Sequence, residues 1–310
     1  MNEFELIAHL TRNLPTNGTV LTGAGDDCAV LDLGIPGQLI LFKTDAVVEK
    51  IHFEQTTPPE KIGYKALARC LSDIAAMAGT PVAALVTIAL PTAFDAEFVA
   101  KIYSGLNLLA KKFGVAVVGG ETTTNPGRIL ISVALLGTVP RGKQILRVGA
   151  KIGDAIFVTG ELGGSLAGRH LEFEPRLEEA RWLAEHFSIH AMLDLSDGLA
   201  GDLPHLLKTG QVGAEILKRA LPVSRAAKLR AKENSSAIPA TLAALTDGED
   251  FELLFTIASQ DAVKLLDAWK NKFPGLKLSC IGKIVTGDGI FIRDHTGSHK
   301  LQTHGYVHFA

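Results

Sequence analysis

Acidic residues recur at turns that follow apolar runs, and their spacing is the first chemical signal in the chain. Asp26 and Asp27 follow the turn Gly23-Ala24-Gly25. Asp45 follows the run Leu39–Phe42, with Lys43 and Thr44 beside it, and Glu121 follows Gly119-Gly120. Asp194 and Asp197 flank Leu195-Ser196. Carboxylates at strand ends, next to glycines that let a phosphate approach the backbone, suit hard cations that take oxygen ligands. Asp73 stands apart. It lies on the small, apolar stretch Cys70-Leu-Ser-Asp-Ile-Ala-Ala-Met77, where a charge must be paired or ligated. Each of the other acids has a plainer alternative as a turn former or helix cap. Spacing does not establish that the turns converge; if they do, repulsion among the acids demands several Mg2+ ions or a counter-charge.

Other chemistries find no support. Gly137-Thr-Val-Pro-Arg-Gly142-Lys143-Gln144 approaches the P-loop pattern, but Gln144 stands where the magnesium-ligating hydroxyl belongs. Pro140 also removes an amide that a phosphate cradle would use. There is no GxGxxG dinucleotide fingerprint and no GxSxG nucleophile elbow. His186 and His190 lack the glutamate of HExxH and read as a solvated helix end. Cys28, Cys70 and Cys280 are too few and too scattered for a disulfide framework or a zinc site, so a reduced cytoplasm fits best.

The elements that must position these acids alternate. A short amphipathic helix is expected over Glu3–Asn13 and a buried strand over Gln38–Phe42. A long helix begins near Pro58 and ends at Gly79, followed by a strand at Val82–Leu90 and a helix at Asp95–Phe113. Strands at Val115–Val118 and Ile129–Val139 complete an α+β half with a split βαβ arrangement. Turn signals between Pro140 and Asp154 mark a domain boundary, giving parts 1–145 and 146–310. The second part restarts with a strand at Ala155–Thr159 and a glycine-rich turn, Gly160–Gly164. Helical stretches follow at Ser165–Leu171 and Arg176–His186, then a strand at Met192–Leu195. Asp197–Leu207 reads as a helix opened by acids, with further strands at Phe251–Ile257 and Leu278–Ile284.

The 310 residues are 47% hydrophobic and 21% charged, values of an ordinary globular chain long enough for two domains. A formal charge of −2 gives no basic footprint for nucleic acid. No apolar run reaches the roughly 18 residues that span a bilayer, and the acidic start, Glu3 and Glu5, has no signal-like apolar core.

Several stretches together resemble the thiamine-monophosphate kinase family. They are Gly23-Ala-Gly-Asp-Asp-Cys-Ala-Val30, Thr44-Asp-Ala-Val-Val-Glu-Lys-Ile-His-Phe53, Gly63-Tyr-Lys-Ala-Leu-Ala68, Leu71-Ser-Asp-Ile-Ala-Ala-Met77, Gly119-Gly-Glu-Thr-Thr123, Asp194-Leu-Ser-Asp-Gly-Leu199 and Asp247-Gly-Glu-Asp-Phe-Glu-Leu253. They follow the family's order from about residue 3 to 309. The enclosing superfamily also holds aminoimidazole ribonucleotide synthetase, selenophosphate synthetase and a hydrogenase-maturation dehydratase. The resemblance implies a ferredoxin-like N-terminal domain whose sheet pairs with a second subunit as a homodimeric barrel. It further implies a C-terminal α/β domain of the aminoimidazole ribonucleotide synthetase-like type, and an active site between the two. The implied reaction is ATP plus thiamine monophosphate giving ADP and thiamine diphosphate.

Residue by residue, the resemblance implies magnesium ligands Asp27, Thr44, Asp45, Asp73, Glu121, Asp194 and Asp197. Gly120, Glu121, Arg147 and Ser196 match nucleotide-contacting positions, as does Tyr103 on a looser match. His52 and Glu249 match positions at the thiamine substrate, and Thr303 sits where some members carry a tryptophan. Lys50 replaces a common Gly, Glu121 a common Asp, and Asp247 the first Gly of Gly-Gly-Glu-Asp. The competing readings are another ATP-using synthetase of the superfamily and a nucleotide-binding regulator without turnover.

Overall fold

The computed structural model describes residues 3–208, 211–233, 236–302 and 305–306. The chain forms two compact units: Gly18–Gln144 with Gly168–Arg181, and Met1–Asn17 with Ile145–Ala167 and Trp182–Ala310. The first helix, α1 (Glu3–Thr11), belongs to the latter. Among the described residues, no helix is long and apolar enough to cross a membrane.

The first unit is a six-stranded sheet with two helices. Its strands are β1 (Val20–Thr22), β2 (Ala29–Leu31), β3 (Gln38–Val48), β4 (Thr80–Leu90), β5 (Ala116–Thr124) and β6 (Leu130–Pro140), in the order β1-β2-β3-β6-β4-β5. Only β4 and β5 run parallel, joined by helix α3 (Ala96–Phe113). Helix α2 (Pro59–Ala76) joins β3 to β4 with β6 inserted between them, the expected split βαβ. From β3 onward the succession is β-α-β-α-β-β, which differs from the β-α-β-β-α-β of a ferredoxin-like domain. The parallel β4–β5 pair is the cause, because a parallel neighbour needs a crossover helix before it.

Local chemistry explains the helix ends. Pro59 opens α2 at N1, where no amide is missed. Its C-terminus is a Schellman turn: Ala78 adopts φ 58°, its amide meets Ala75 O, and the Gly79 amide meets Ile74 O. Gly79 therefore serves packing, since a Cβ there would lie 2.4 Å from Leu41 Cδ1. Asp95 caps α3 by accepting from the Glu97 amide, and Gly114 ends it at φ 68°. The two helices touch backbone to backbone. A Cβ on Gly63 would sit 1.8 Å from Ile102 O, and one on Gly105 1.8 Å from Glu60 O.

Strand β3 runs well past Phe42. Its ladder with β6 continues unbroken to Val48↔Leu130, so Asp45 lies inside a strand and not at its end. The polar triplet Lys43-Thr44-Asp45 hides this in the sequence, because only the alternate side chains face the helices.

The second unit is a seven-stranded sheet. Chain order gives β7 (Ala155–Thr159), β8 (Ile189–Asp194), β9 (Val212–Leu217), β10 (Leu253–Ile257), β11 (Leu278–Thr286), β12 (Gly289–Asp294) and β13 (Gly297–Lys300). Spatial order is β13-β12-β9-β11-β7-β10-β8, with only β9 and β12 parallel. Helix α4 (Leu177–His186) starts in the first unit and enters this one at Trp182; α5 (Leu199–Leu206), α6 (Arg225–Glu233), α7 (Ala240–Thr246) and α8 (Ala262–Lys272) complete it. Its core joins Val158, Leu193, Leu254 and Ile281 of the sheet to Leu199, Leu203 and Leu245 of α5 and α7. Ser165–Leu171 forms two short 3-10 turns in place of one helical stretch. Helix α5 starts only at Leu199, because Gly198, at φ 86°, sets Asp197 outside it.

Candidate active site

In the first unit, β3 and α2 present charges to each other. Lys43 and Asp45 project from one face of β3 by the strand's period of two, and Arg69 and Asp73 from one face of α2 by the helical step of four. They pair crosswise. Lys43 Nζ lies 2.8 Å from Asp73 Oδ1, and Arg69 Nε 2.9 Å from Asp45 Oδ2. Burial alone would lower the Lys43 pKa, but Asp73, Asp45 and Asp27 together raise it above its usual range. Asp27 is 1% exposed and Asp73 5%, and each offers a carboxylate oxygen within 4.8 Å of the other. Both acids are buried. The Asp27 amide donates to Asp26 Oδ1 at 3.0 Å, fixing the turn. Nearby Cys28 and Cys70 are buried thiols whose pKa is pushed up chiefly by that burial, and all three cysteines are free.

Thr44 points to the opposite side of the sheet, exposed, its Oγ1 3.3 Å from Ser132 Oγ. Glu121 is exposed on β5, in register with Thr87. Gly120 has φ 153°, and a Cβ there would lie 1.8 Å from Val86 O, so only glycine lets β5 lie this close to β4. Tyr103 is half-buried on α3. His52 Nδ1 accepts from the Val48 amide at 3.1 Å, and its carbonyl accepts from buried Lys65 at 2.6 Å.

In the second unit the acids gather at the end of β8. Asp194 is its last residue and 4% exposed; Ser196 and Asp197 follow, half-buried. Asp202, one turn into α5, reaches back to accept from the Asp197 amide at 2.9 Å. Burial first, then the charges of Asp197 and Asp194, raise the Asp202 pKa well above the usual range, and Arg147 works against them. Arg147 thus lies beside this turn, and its charge also bears on His205, whose pKa burial pushes down to about 3. The segment after α7 clasps the same turn. Glu249, at φ 53°, donates its amide to Ser196 O at 2.6 Å, and Phe251, at φ 51°, donates to Leu195 O at 2.7 Å. Asp250 is buried and accepts from the Gly163 amide through both oxygens, 3.1 and 2.8 Å. Thr303 lies outside the described residues. The two histidines of the rejected metalloprotease spacing separate: His186 stacks on Trp182, while His190 bonds Asp154 at 2.8 Å.

Residues 25–139 match the family model for the AIR synthase related protein N-terminal domain, and residues 151–295 the corresponding C-terminal domain. The thiamine-monophosphate kinase of Rhodopirellula baltica is 40% identical, with 96% of this chain and 93% of that one covered. That of Bacillus subtilis is 33% identical over the whole of both chains. This chain belongs to the thiamine-monophosphate kinase family. Among solved structures, "AaThiL complexed with AMPPCP and TMP" matches at TM-score 0.84 and 30% identity, covering 99% of this chain and 97% of that one. The Escherichia coli hydrogenase maturation protein HypE shares the fold at TM-score 0.72 and 21% identity.

Against the thiamine-monophosphate kinase pattern, two departures acquire a physical meaning. Lys50 occupies φ 65°, the left-handed region that glycine enters freely. Asp247 has ordinary helical angles and uses its carboxylate, accepting from the Gly164 amide and Arg230 at 2.7 Å each. Sequence reasoning missed Arg69, Asp202 and Asp250 as supports of the expected site. The four-residue spacing of Arg69 and Asp73 was a usable signal; the Asp250–Gly163 contact, 87 residues apart, had none.

Proposed function

We propose that this chain catalyses transfer of the γ-phosphoryl group of ATP to the phosphate of thiamine monophosphate, giving ADP and thiamine diphosphate. The observation that carries this conclusion is the end-to-end likeness to a relative solved with AMPPCP and TMP, at TM-score 0.84. Phosphoryl transfer asks a protein mainly for alignment and charge neutralisation. The acceptor is a phosphate oxygen, already anionic at neutral pH, so no side chain is needed as a general base.

The donor set fits magnesium. Asp27 and Asp73 are buried oxygen donors close enough to require positive charge between them. In this reading Asp27, Asp45, Asp73 and Glu121 of the first unit, and Asp194 and Asp197 of the second, hold several Mg2+ ions, and Thr44 joins them through its backbone oxygen, since its hydroxyl faces the other side of the sheet. Bound magnesium supplies cancellation of the phosphates' mutual repulsion. Gly120, Glu121, Ser196 and Tyr103 contact the nucleotide, and Arg147 adds a planar, two-pronged phosphate contact. His52, Glu249 and Thr303 mark the thiamine end. In this reading residues 1–145 carry dimerisation and most of the nucleotide and magnesium contacts, and residues 146–310 form the second domain, which adds Arg147, Asp194, Ser196 and Asp197.

A homodimer completes the reading. On the first unit's sheet, Phe42, Leu85 and Val118 are 47%, 48% and 63% exposed, an apolar surface of the kind that seeks a partner. Pairing with a second copy into a barrel would cover it. Light scattering should give a dimer, about twice 32.9 kDa, at micromolar concentration, and a stable monomer would remove this part of the reading. The setting is a cytoplasmic enzyme of small molecules, with neither nucleic acid nor membrane as partner.

The test is purified protein with ATP, Mg2+ and a panel of thiamine monophosphate, thiamine, aminoimidazole-pathway intermediates and selenide. Turnover of thiamine monophosphate, with none comparable of thiamine, is expected. Turnover of another panel member alone would move the chain to a sister enzyme, and nucleotide binding with no turnover at all would make it a regulator.

A further inference from the structure

The two cations at the β3–α2 contact do different jobs. Arg69 is committed to Asp45 through two hydrogen bonds, 2.9 and 3.2 Å. Lys43 is a compact point charge whose neighbours include Asp73, Asp45 and Asp27 together. Its ammonium touches Asp73 at 2.8 Å, and Asp73 shares the 4.8 Å cluster with Asp27. Asp27, Asp45 and Asp73 contribute three negative charges, of which Lys43 and Arg69 cancel two. The contact is also well sheltered: Asp73 keeps only 8% of its side-chain surface and Lys43 24%. Shielding by salt is weak there, so the ammonium's effect on a nearby ion is strong.

We propose that the Lys43 ammonium is a resident cation of this acid cluster, replacing one divalent ion that the same carboxylates would otherwise bind. The proposal rests on the magnesium reading above and specifies how the first unit divides its positive charge. A tethered cation cannot dissociate, so this part of the cluster stays neutralised when free magnesium is scarce. It also repels a second ion from the oxygens it occupies.

Manganese serves as the spectroscopic probe. Mn2+ is titrated into nucleotide-free wild type, Lys43→Met and Lys43→Arg, with bound ions counted by electron paramagnetic resonance and folding checked by thermal melting. Lys43→Met is expected to bind one more Mn2+ per chain, or the same number about tenfold tighter or more, while Lys43→Arg follows wild type. Equal number and affinity in wild type and Lys43→Met would overturn the proposal and leave the magnesium reading intact. Absence of Mn2+ binding in all three would overturn both. If Lys43→Met does not fold, wild type decides. In protein carrying 15N-lysine, the ammonium signal missing from Lys43→Arg should keep its slow hydrogen exchange when Mg2+ and AMPPCP are added. Loss of that signal would mean that the metal displaces Lys43, and the proposal would fail.

Discussion

Arg69 and Asp45 grip each other through two hydrogen bonds, Nε to Oδ2 and Nη2 to Oδ1. Burial would raise the Asp45 pKa, but Arg69 and Lys43 hold it below the usual carboxylate range. Asp45→Asn keeps the shape and removes the charge that both cations face. Turnover should be abolished, and stability should fall by about 1–3 kcal/mol as Arg69 loses its charged partner. Product formation and melting, measured together, check this. Near-wild-type activity would remove Asp45 from the metal set. Because its folded pKa is depressed, Asp45 stabilises the protein above the unfolded pKa. That contribution is lost as pH falls through the folded one, so the variant should lose less stability in acid.

Lys50→Gly should stabilise the protein by about 1 kcal/mol, because φ 65° costs a lysine what it does not cost glycine. Urea unfolding of both proteins measures the difference. A loss of stability would show that the lysine side chain contributes more than its backbone strain removes.

Gly120→Ala should cost about 2–4 kcal/mol and weaken AMPPCP binding, since its Cβ would meet Val86 O at 1.8 Å in a backbone region closed to alanine. Gly127→Ala is the control, with nothing within 4 Å of its Cβ. If both variants melt together with wild type, the close approach of β5 to β4 is not a constraint.

His205 stays neutral in the fold down to about pH 3, because burial, Lys208 and Arg147 all disfavour its charge. The unfolded chain takes up that proton near pH 6.5. Stability should therefore drop as pH falls below about 6.5, by up to about 1.4 kcal/mol per pH unit from this group. His205→Gln should remove that component. Unfolding at pH 7.5, 6 and 5 should show the wild type losing ground to the variant; parallel curves would contradict the assignment.

The sequence alone was enough to locate the acids, the alternation of elements and the family, because each depends on residues near one another in the chain. Pro59, Asp95 and Gly114 act within one helical turn of themselves, so the limits of α2 and α3 could be read closely. The extent of β3 could not. Lys43-Thr44-Asp45 looks like a strand's end until α2 supplies Arg69 and Asp73 as partners for two of the three. The same folding sends Thr44 to the other side of the sheet, since alternate residues of a strand cannot share a face. Strands as short as β1 and β2 had no periodicity to detect and exist only through pairing, β1 with β2 and β2 with β3. Around Asp197 the deciding contacts, Asp202 to its amide and Glu249 to Ser196 O, depend on where α5 begins and on a segment some fifty residues later. Residue type supplied the charges of the candidate site, but pairing each acid with a particular cation or amide required distant segments to pack in three dimensions, where burial makes an unpaired charge too costly to leave.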